Sequence, residues 1–244
     1  MKLTRPRSVA VTALAGIVAC VLAVMVLGSC QQFFTTSLAE ALARDPDSLV
    51  PDVDASNAAD LAELAQNDPA MAMSVLDGIN DAMAGASAAD QVMLRTAAVD
   101  AAASASGIGP AVLSVADQLA AADESEIIGI MDQTLAGLGN LEEAADGLLL
   151  ALPDPADTVA FDAFVAAADP GQLAVAALTL MASEAASDPD GIELYIDGID
   201  PDNPVGESQI LAIALATAAA AQYEAEGGDD ELASMLASLN LTTK

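Results

Sequence analysis

Asp68-Pro69-Ala70-Met71-Ala72-Met73-Ser74-Val75-Leu76-Asp77-Gly78-Ile79-Asn80-Asp81-Ala82-Met83 holds a helix start and a helical face in one continuous run. A carboxylate at the N-cap accepts hydrogen bonds from free backbone amides, and a proline at the first helical position has no amide to leave unsatisfied and a φ already set for the helix. Behind them Ala72, Val75, Leu76, Ile79 and Met83 recur at three- and four-residue spacing, which draws one apolar stripe along a helix. The same pair stands at Asp45-Pro46, Asp154-Pro155, Asp169-Pro170, Asp188-Pro189 and Asp200-Pro201, so each is expected to open a helix. The intervals between copies are irregular, which argues against a strict helical repeat.

The runs between these pairs keep the same period. Val112, Val115, Ala116 and Leu119 form one stripe, and Ile127, Ile128, Met131, Leu135 and Leu138 form another. Leu141, Leu148, Leu149 and Leu152, then Phe161, Phe164 and Val165, continue it, while Gly107, Gly139 and Gly227 mark helix ends. Leu173 to Ala182 and Ile210 to Ala221 carry no charge on any face, so both are placed at the centre of the core. Ile192, Leu194 and Ile196 alternate with Glu193, Tyr195 and Asp197 as a strand would, but no second strand exists to pair with them. Ile192, Tyr195, Ile196 and Ile199 also fit a helix behind Asp188-Pro189. The expected fold is all-α: an irregular array or bundle of about ten short helices with Asp-Pro N-caps, with a helical-hairpin solenoid as the extended variant.

Upstream of this array the chain has a different character. Lys2, Arg5 and Arg7 precede an uncharged apolar run of 19 residues, Val9 to Leu27, closed by Gly28 and Ser29. A positive head, an apolar stretch and small residues are a secretory signal. Such a run would almost span a bilayer as a helix, and the residues that follow decide between cleavage and anchoring. Leu27, Gly28 and Ser29 ahead of Cys30 form the pattern of bacterial lipoprotein signal peptides: small residues admit an extended backbone to the peptidase, and the Cys30 thiol takes the diacylglycerol. Two acyl chains, at roughly 0.8 kcal/mol per buried CH₂, anchor a protein stably. The organisation expected is a cleaved signal over 1–29, a lipidated, membrane-proximal segment over 30–50 and one helical domain over 51–244.

Gln31-Gln32-Phe33-Phe34-Thr35-Thr36-Ser37-Leu38-Ala39-Glu40-Ala41-Leu42-Ala43-Arg44-Asp45-Pro46 then resembles the opening of a group of uncharacterised spirochaetal lipoproteins. The resemblance implies lipidation at Cys30, covers about sixteen residues, and carries over no activity or catalytic residue. The departure is the richness in Ala and Asp. Phe33 and Phe34 either dip into the membrane interface or pack on a first helix through Leu38 and Leu42. Gln31 after the lipidated cysteine favours the outer membrane or cell surface over the periplasmic face of the inner one.

Composition narrows function mainly by exclusion. All 37 acidic residues lie beyond Ser29, and loss of Lys2, Arg5 and Arg7 takes the formal charge from −31 to −34. Such a surface repels nucleic acid and anionic lipid headgroups alike, so membrane attachment rests on the lipid anchor. The acids are dispersed along the chain, which reads as a solvated shell before it reads as a cation trap. Cys20 leaves with the signal and Cys30 is acylated, so no thiol remains for a disulfide, a metal or a nucleophile. With no His and with Lys244 the one lysine after the signal, Ser-His, Cys-His and lysine-based catalysis have no residues to use. Carboxylate pairs occur by number alone in so acidic a chain.

The acidic stretch Asp188 to Glu207 fails as a calcium loop, because Glu193 and Val205 stand where glycine is needed and Ile199 and Leu211 where glutamate should close the cage. Asp200, Asp202 and Asn203 are read as turn formers next to Pro201 and Pro204 ahead of weak metal binding. No catalytic residue, no cofactor and no metal is expected. The expectation is a non-catalytic envelope scaffold that docks a partner protein. A ligand-binding or transporter-associated lipoprotein with a small-molecule pocket between helices is the alternative. Four Phe, two Tyr and no Trp favour the scaffold, since pockets are usually lined with aromatics.

Overall fold

The computed structural model describes residues 50–108, 133–188 and 202–225, together with 111, 130, 195 and 198–200. Among these residues the chain is 74% helical, with no strand and with eight helices rather than about ten. Seven have both ends described: α1 (Ala58–Leu64), α2 (Pro69–Met83), α3 (Ala88–Ser106), α4 (Leu141–Ala151), α5 (Thr158–Ala167), α6 (Pro170–Ser187) and α7 (Glu207–Ala225). Tyr195, inside the alternating segment, is helical; its neighbours Ile192 and Ile196 lie outside the described residues.

The Asp-Pro pairs divide by what the chain does next. Asp68 caps α2 by accepting from the Met71 amide at 3.1 Å, and Asp169 caps α6 by accepting from Gln172 N at 2.8 Å. Asp154 does not open a helix. Its Oδ1 accepts from Ala156 N at 2.8 Å in a tight turn, and α5 begins three residues later under Asp157, which accepts from Ala160 N at 3.2 Å. Asp200 likewise closes a turn, accepting from Asp202 N at 3.1 Å, and α7 starts behind Gly206. Gly206 has φ +87, a left-handed position that glycine occupies without strain, and Gln209 reaches back to accept from Val205 N. Asp188 closes α6 with extended backbone, as the residue before a proline prefers. Asp45-Pro46 lies outside the described residues. Two start signals thus turn out to be turns, and the helix that follows each begins a few residues later.

Gly107 ends α3 in the left-handed conformation at φ +65, as expected of a C-terminal glycine. Gly139 lies in the turn before α4 without positive φ, and Gly227 is outside the described residues. Of the expected stripes, Ala72, Val75, Leu76 and Ile79 are fully buried, as are Leu148 and Phe164. The stripe from Val112 to Leu119 lies outside the described residues, whereas Leu135 is buried.

One continuous cluster of buried side chains runs from Ala58 to Ala220. Its centre is α3, which packs against α1, α2, α4, α5 and α6, while α6 also meets α4 and carries α7 on its far side. Of the two uncharged helices expected at the centre, α6 is well buried among α3, α4 and α7, and α7 is the one corrected. Ile210 and Ala221 of α7 are exposed, so α7 is an outer helix that is apolar on more faces than it buries. The hub α3 escapes a search for uncharged runs because it carries Asp90, Arg95 and Asp100. Its buried face is Ala97, Ala98, Val99, Ala101, Ala102 and Ala105, and such short side chains let several helices approach one axis. Its start, Ser87-Ala88-Ala89-Asp90, is an N-cap in which the Ser87 hydroxyl accepts from the Asp90 amide and donates to the Asp90 carboxylate at 2.8 Å.

Candidate functional site

The residues on which the sequence places a site, Leu27, Gly28, Ser29 and Cys30, lie outside the described residues, as do Phe33, Phe34, Leu38 and Leu42. Among the described residues no group of three or more metal-ligating side chains comes together. No single described helix is long and apolar enough to cross a membrane. α5 and α6 would pass such a test together, but they meet at 120° because Asp169-Pro170 starts a new helix there.

Three side-chain amides tie the helices to one another. Asn80 of α2 donates to the Gly147 carbonyl of α4 at 3.1 Å, and Gln222 of α7 donates to the Val165 carbonyl of α5. The third, Gln172, donates through Nε2 to both carboxylate oxygens of Asp100, each at 3.0 Å, and so joins the first turn of α6 to the middle of α3. Composition explains the choice of donor. Arg95 is the one basic residue among those described, so cross-links that a balanced chain would make with Lys and Arg fall to Asn and Gln. The cost is left on the acceptor side of the same amides: Asn80 Oδ1 and Gln222 Oε1 are buried without a hydrogen-bond partner.

The Gln172 joint brings two aspartates, Asp100 and Asp169, to one side-chain amide. Gln172 Oε1 accepts from the Asp169 amide at 3.2 Å while its own backbone amide donates to Asp169 Oδ1, which completes a capping box. Burial pushes the Asp100 carboxyl above its ordinary range; the Gln172 hydrogen bond opposes this, and the nearby Asp169 charge adds to it. Arg95 does not relieve Asp100. It reaches Gln91 and feels the charge of Asp157, and burial of its side chain lowers its pKa. At the other end of α6, the Tyr195 phenol is pushed up to about 12, by burial first and then by Glu184, with Gln209 opposing and Asp188 adding. Among the described residues its buried hydroxyl meets no partner in full hydrogen-bonding geometry, and the raised pKa keeps the phenol protonated at neutral pH.

Asp200, Asp202 and Asn203 are occupied in the turn before α7, where Asn203 N donates to the Asp200 carbonyl at 3.0 Å and Asp202 N to the Asp200 carboxylate. A dispersed acidic shell responds to monovalent salt through screening, whereas a dedicated site gains stability by mass action. The thermal midpoint is therefore expected to climb steadily with NaCl, and micromolar calcium to add nothing measurable in high salt. A saturable calcium shift that persists in high salt and disappears in Asp200→Ala or Asp202→Ala would contradict the solvated shell.

The sequence reading named neither Asp100 nor Gln172. The pair Asp169 and Gln172 was legible as D-x-x-Q, a capping box behind a start signal already noted; their partner on α3 is 72 residues from Gln172, and nothing local announces it. The chain matches no protein family, no curated protein and no solved structure.

Proposed function

We propose that the chain is a lipid-anchored protein of the bacterial cell envelope, a non-catalytic helical scaffold that docks another envelope protein. The observation that carries this reading is Leu27-Gly28-Ser29-Cys30 at the end of an apolar run with a basic head. Cys30 holds the acyl chains, and Leu27, Gly28 and Ser29 present the bond to be cut. A strongly acidic surface does not adsorb to anionic lipid, so the anchor supplies the attachment and the shell keeps the helices in water. The docking role draws support from large apolar side chains that the core leaves outside, with Leu150 77% and Val159 81% exposed on either side of the turn between α4 and α5.

Replacing Cys30 by Ala tests the reading, because thioether formation precedes cleavage in lipoprotein processing. The variant is expected to accumulate as a full-length precursor, while mass spectrometry of the wild type shows an N-terminal, acylated Cys30. A wild-type protein released from the membrane with a free Cys30 thiol would refute the anchor and with it the localisation.

A further inference from the structure

We propose that Asp100 is an acid-responsive joint, which takes up a proton on acidification and thereby tightens the seat of the α6 N-terminus on α3. The geometry begins with a shortage of donors. An ionised carboxylate offers about four lone-pair positions, and among the described residues Asp100 receives one side-chain donor, the amide nitrogen Gln172 Nε2, shared between both oxygens at 3.0 Å. That amide cannot turn to serve it better, because its oxygen is held by the Asp169 N–H in the capping box of α6.

The surrounding charges do not favour ionisation. Asp169, at the head of α6, is the charged group that acts on Asp100, and it repels. On α3 itself Asp90 is engaged by Ser87, and Arg95 lies with Gln91 and the Asp157 carboxylate at the head of α5. Among the described residues Asp100 is thus a half-buried carboxylate with one hydrogen-bonding side-chain amide, a like-charged neighbour in Asp169 and no cation acting on it. A proton from solvent removes the repulsion and the desolvation penalty together, while the remaining carbonyl oxygen still accepts from Gln172.

The sign follows from linkage. A carboxyl whose folded pKa lies above its unfolded value contributes stability that is fully present below the unfolded value, roughly 4, and is lost as pH rises through the folded one. The joint is therefore tightest below the unfolded value and loosens as pH rises through the raised folded one. The acidic shell also relaxes in acid, but that contribution is screened by salt, and a desolvation effect at a buried group is screened much less.

The test uses the full chain in detergent micelles at about 1 M NaCl, where the Debye length is roughly 3 Å, with thermal midpoints measured from acid to alkaline pH. Wild type is expected to gain stability on acidification. Asp100→Asn is expected to melt above wild type at alkaline pH and to lose that part of the slope, since an amide keeps the acceptor and removes the charge. Gln172→Ala removes the hydrogen bond that favours the charged form, so its profile should be steeper than wild type. Amide exchange at Leu173, in the first turn of α6, should slow on acidification beyond the intrinsic chemical effect. Parallel profiles for wild type and Asp100→Asn, or an Asp100→Asn protein less stable at every pH, would overturn the proposal. If Asp100→Asn does not fold, the Asp100 side-chain carbon is titrated in the wild type by NMR, and a carboxyl titrating at or below the ordinary aspartate range overturns it equally.

Discussion

Phe164→Ala is expected to lower the thermal midpoint by on the order of 10 °C, from a loss of about 3–5 kcal/mol at roughly 2–4 °C per kcal/mol for a chain of this size. Phe164 is the one aromatic side chain among the fully buried described residues, and it is the only fully buried residue of α5. Phe161 and Val165 of the same helix pack against the core only partly buried. Removing the ring leaves a cavity against α3 and frees α5, and with it the Val165 carbonyl that receives Gln222 and the Asp157 carboxylate that acts on Arg95. Thermal melts followed by circular dichroism read the effect, with Phe164→Leu as the smaller, volume-conserving change expected to lose under about 1.5 kcal/mol. A midpoint within a degree or two of wild type for the alanine variant would mean that α5 is not held through this ring.

Gly147→Ala is expected to destabilise the wild type yet stabilise a Leu76→Ala background. A Cβ at position 147 would stand 2.7 Å from Leu76 Cδ2 and 3.0 Å from Leu76 Cγ, and Leu76 is fully buried with nowhere to retreat. Overpacking of this kind costs about 1–3 kcal/mol, against about 1 kcal/mol gained by replacing glycine inside a helix. Leu76→Ala alone should cost about 2–5 kcal/mol as a cavity. Once that cavity exists the clash is gone, so the helix-propensity gain of Gly147→Ala appears undiminished and part of the void is filled. A double-mutant cycle by chemical denaturation measures the coupling. Additive effects of the two substitutions would show that α2 and α4 are not in close contact at this point. The Asn80 hydrogen bond to the Gly147 carbonyl lies beside the same contact, so it should weaken in the single Gly147→Ala variant.

Much of the fold was readable because it depends on local chemistry. Asp68-Pro69 and Asp169-Pro170 open helices through bonds made within four residues, and the spacing of Ala72, Val75, Leu76 and Ile79 turns one side of α2 inward whatever it meets there. The same local logic failed at Asp154 and Asp200, where the carboxylate satisfied an amide two residues on and the chain turned instead. An aspartate before proline serves both conformations, and in each of these cases a later residue, Asp157 or Gly206, offered a better start.

Residues at fixed spacing carry the proposed processing site, so Leu27, Gly28, Ser29 and Cys30 could be named from the chain without a fold, and so could the formal charge of −31. Helical class belongs with them, since caps and periodicity act over a few residues. Which helix stands at the centre belongs to tertiary packing. Absence of charge pointed to α6 and α7, but closeness of approach decided for α3, whose alanines admit five neighbours even though Asp100 rides among them. The pairing of Asp100 with Gln172 across 72 residues, and of Gly147 with Leu76, likewise follows from how helices settle against one another. A side chain's own sequence sets what it can bond or fill; its partner is set by the sum of all the packing around it.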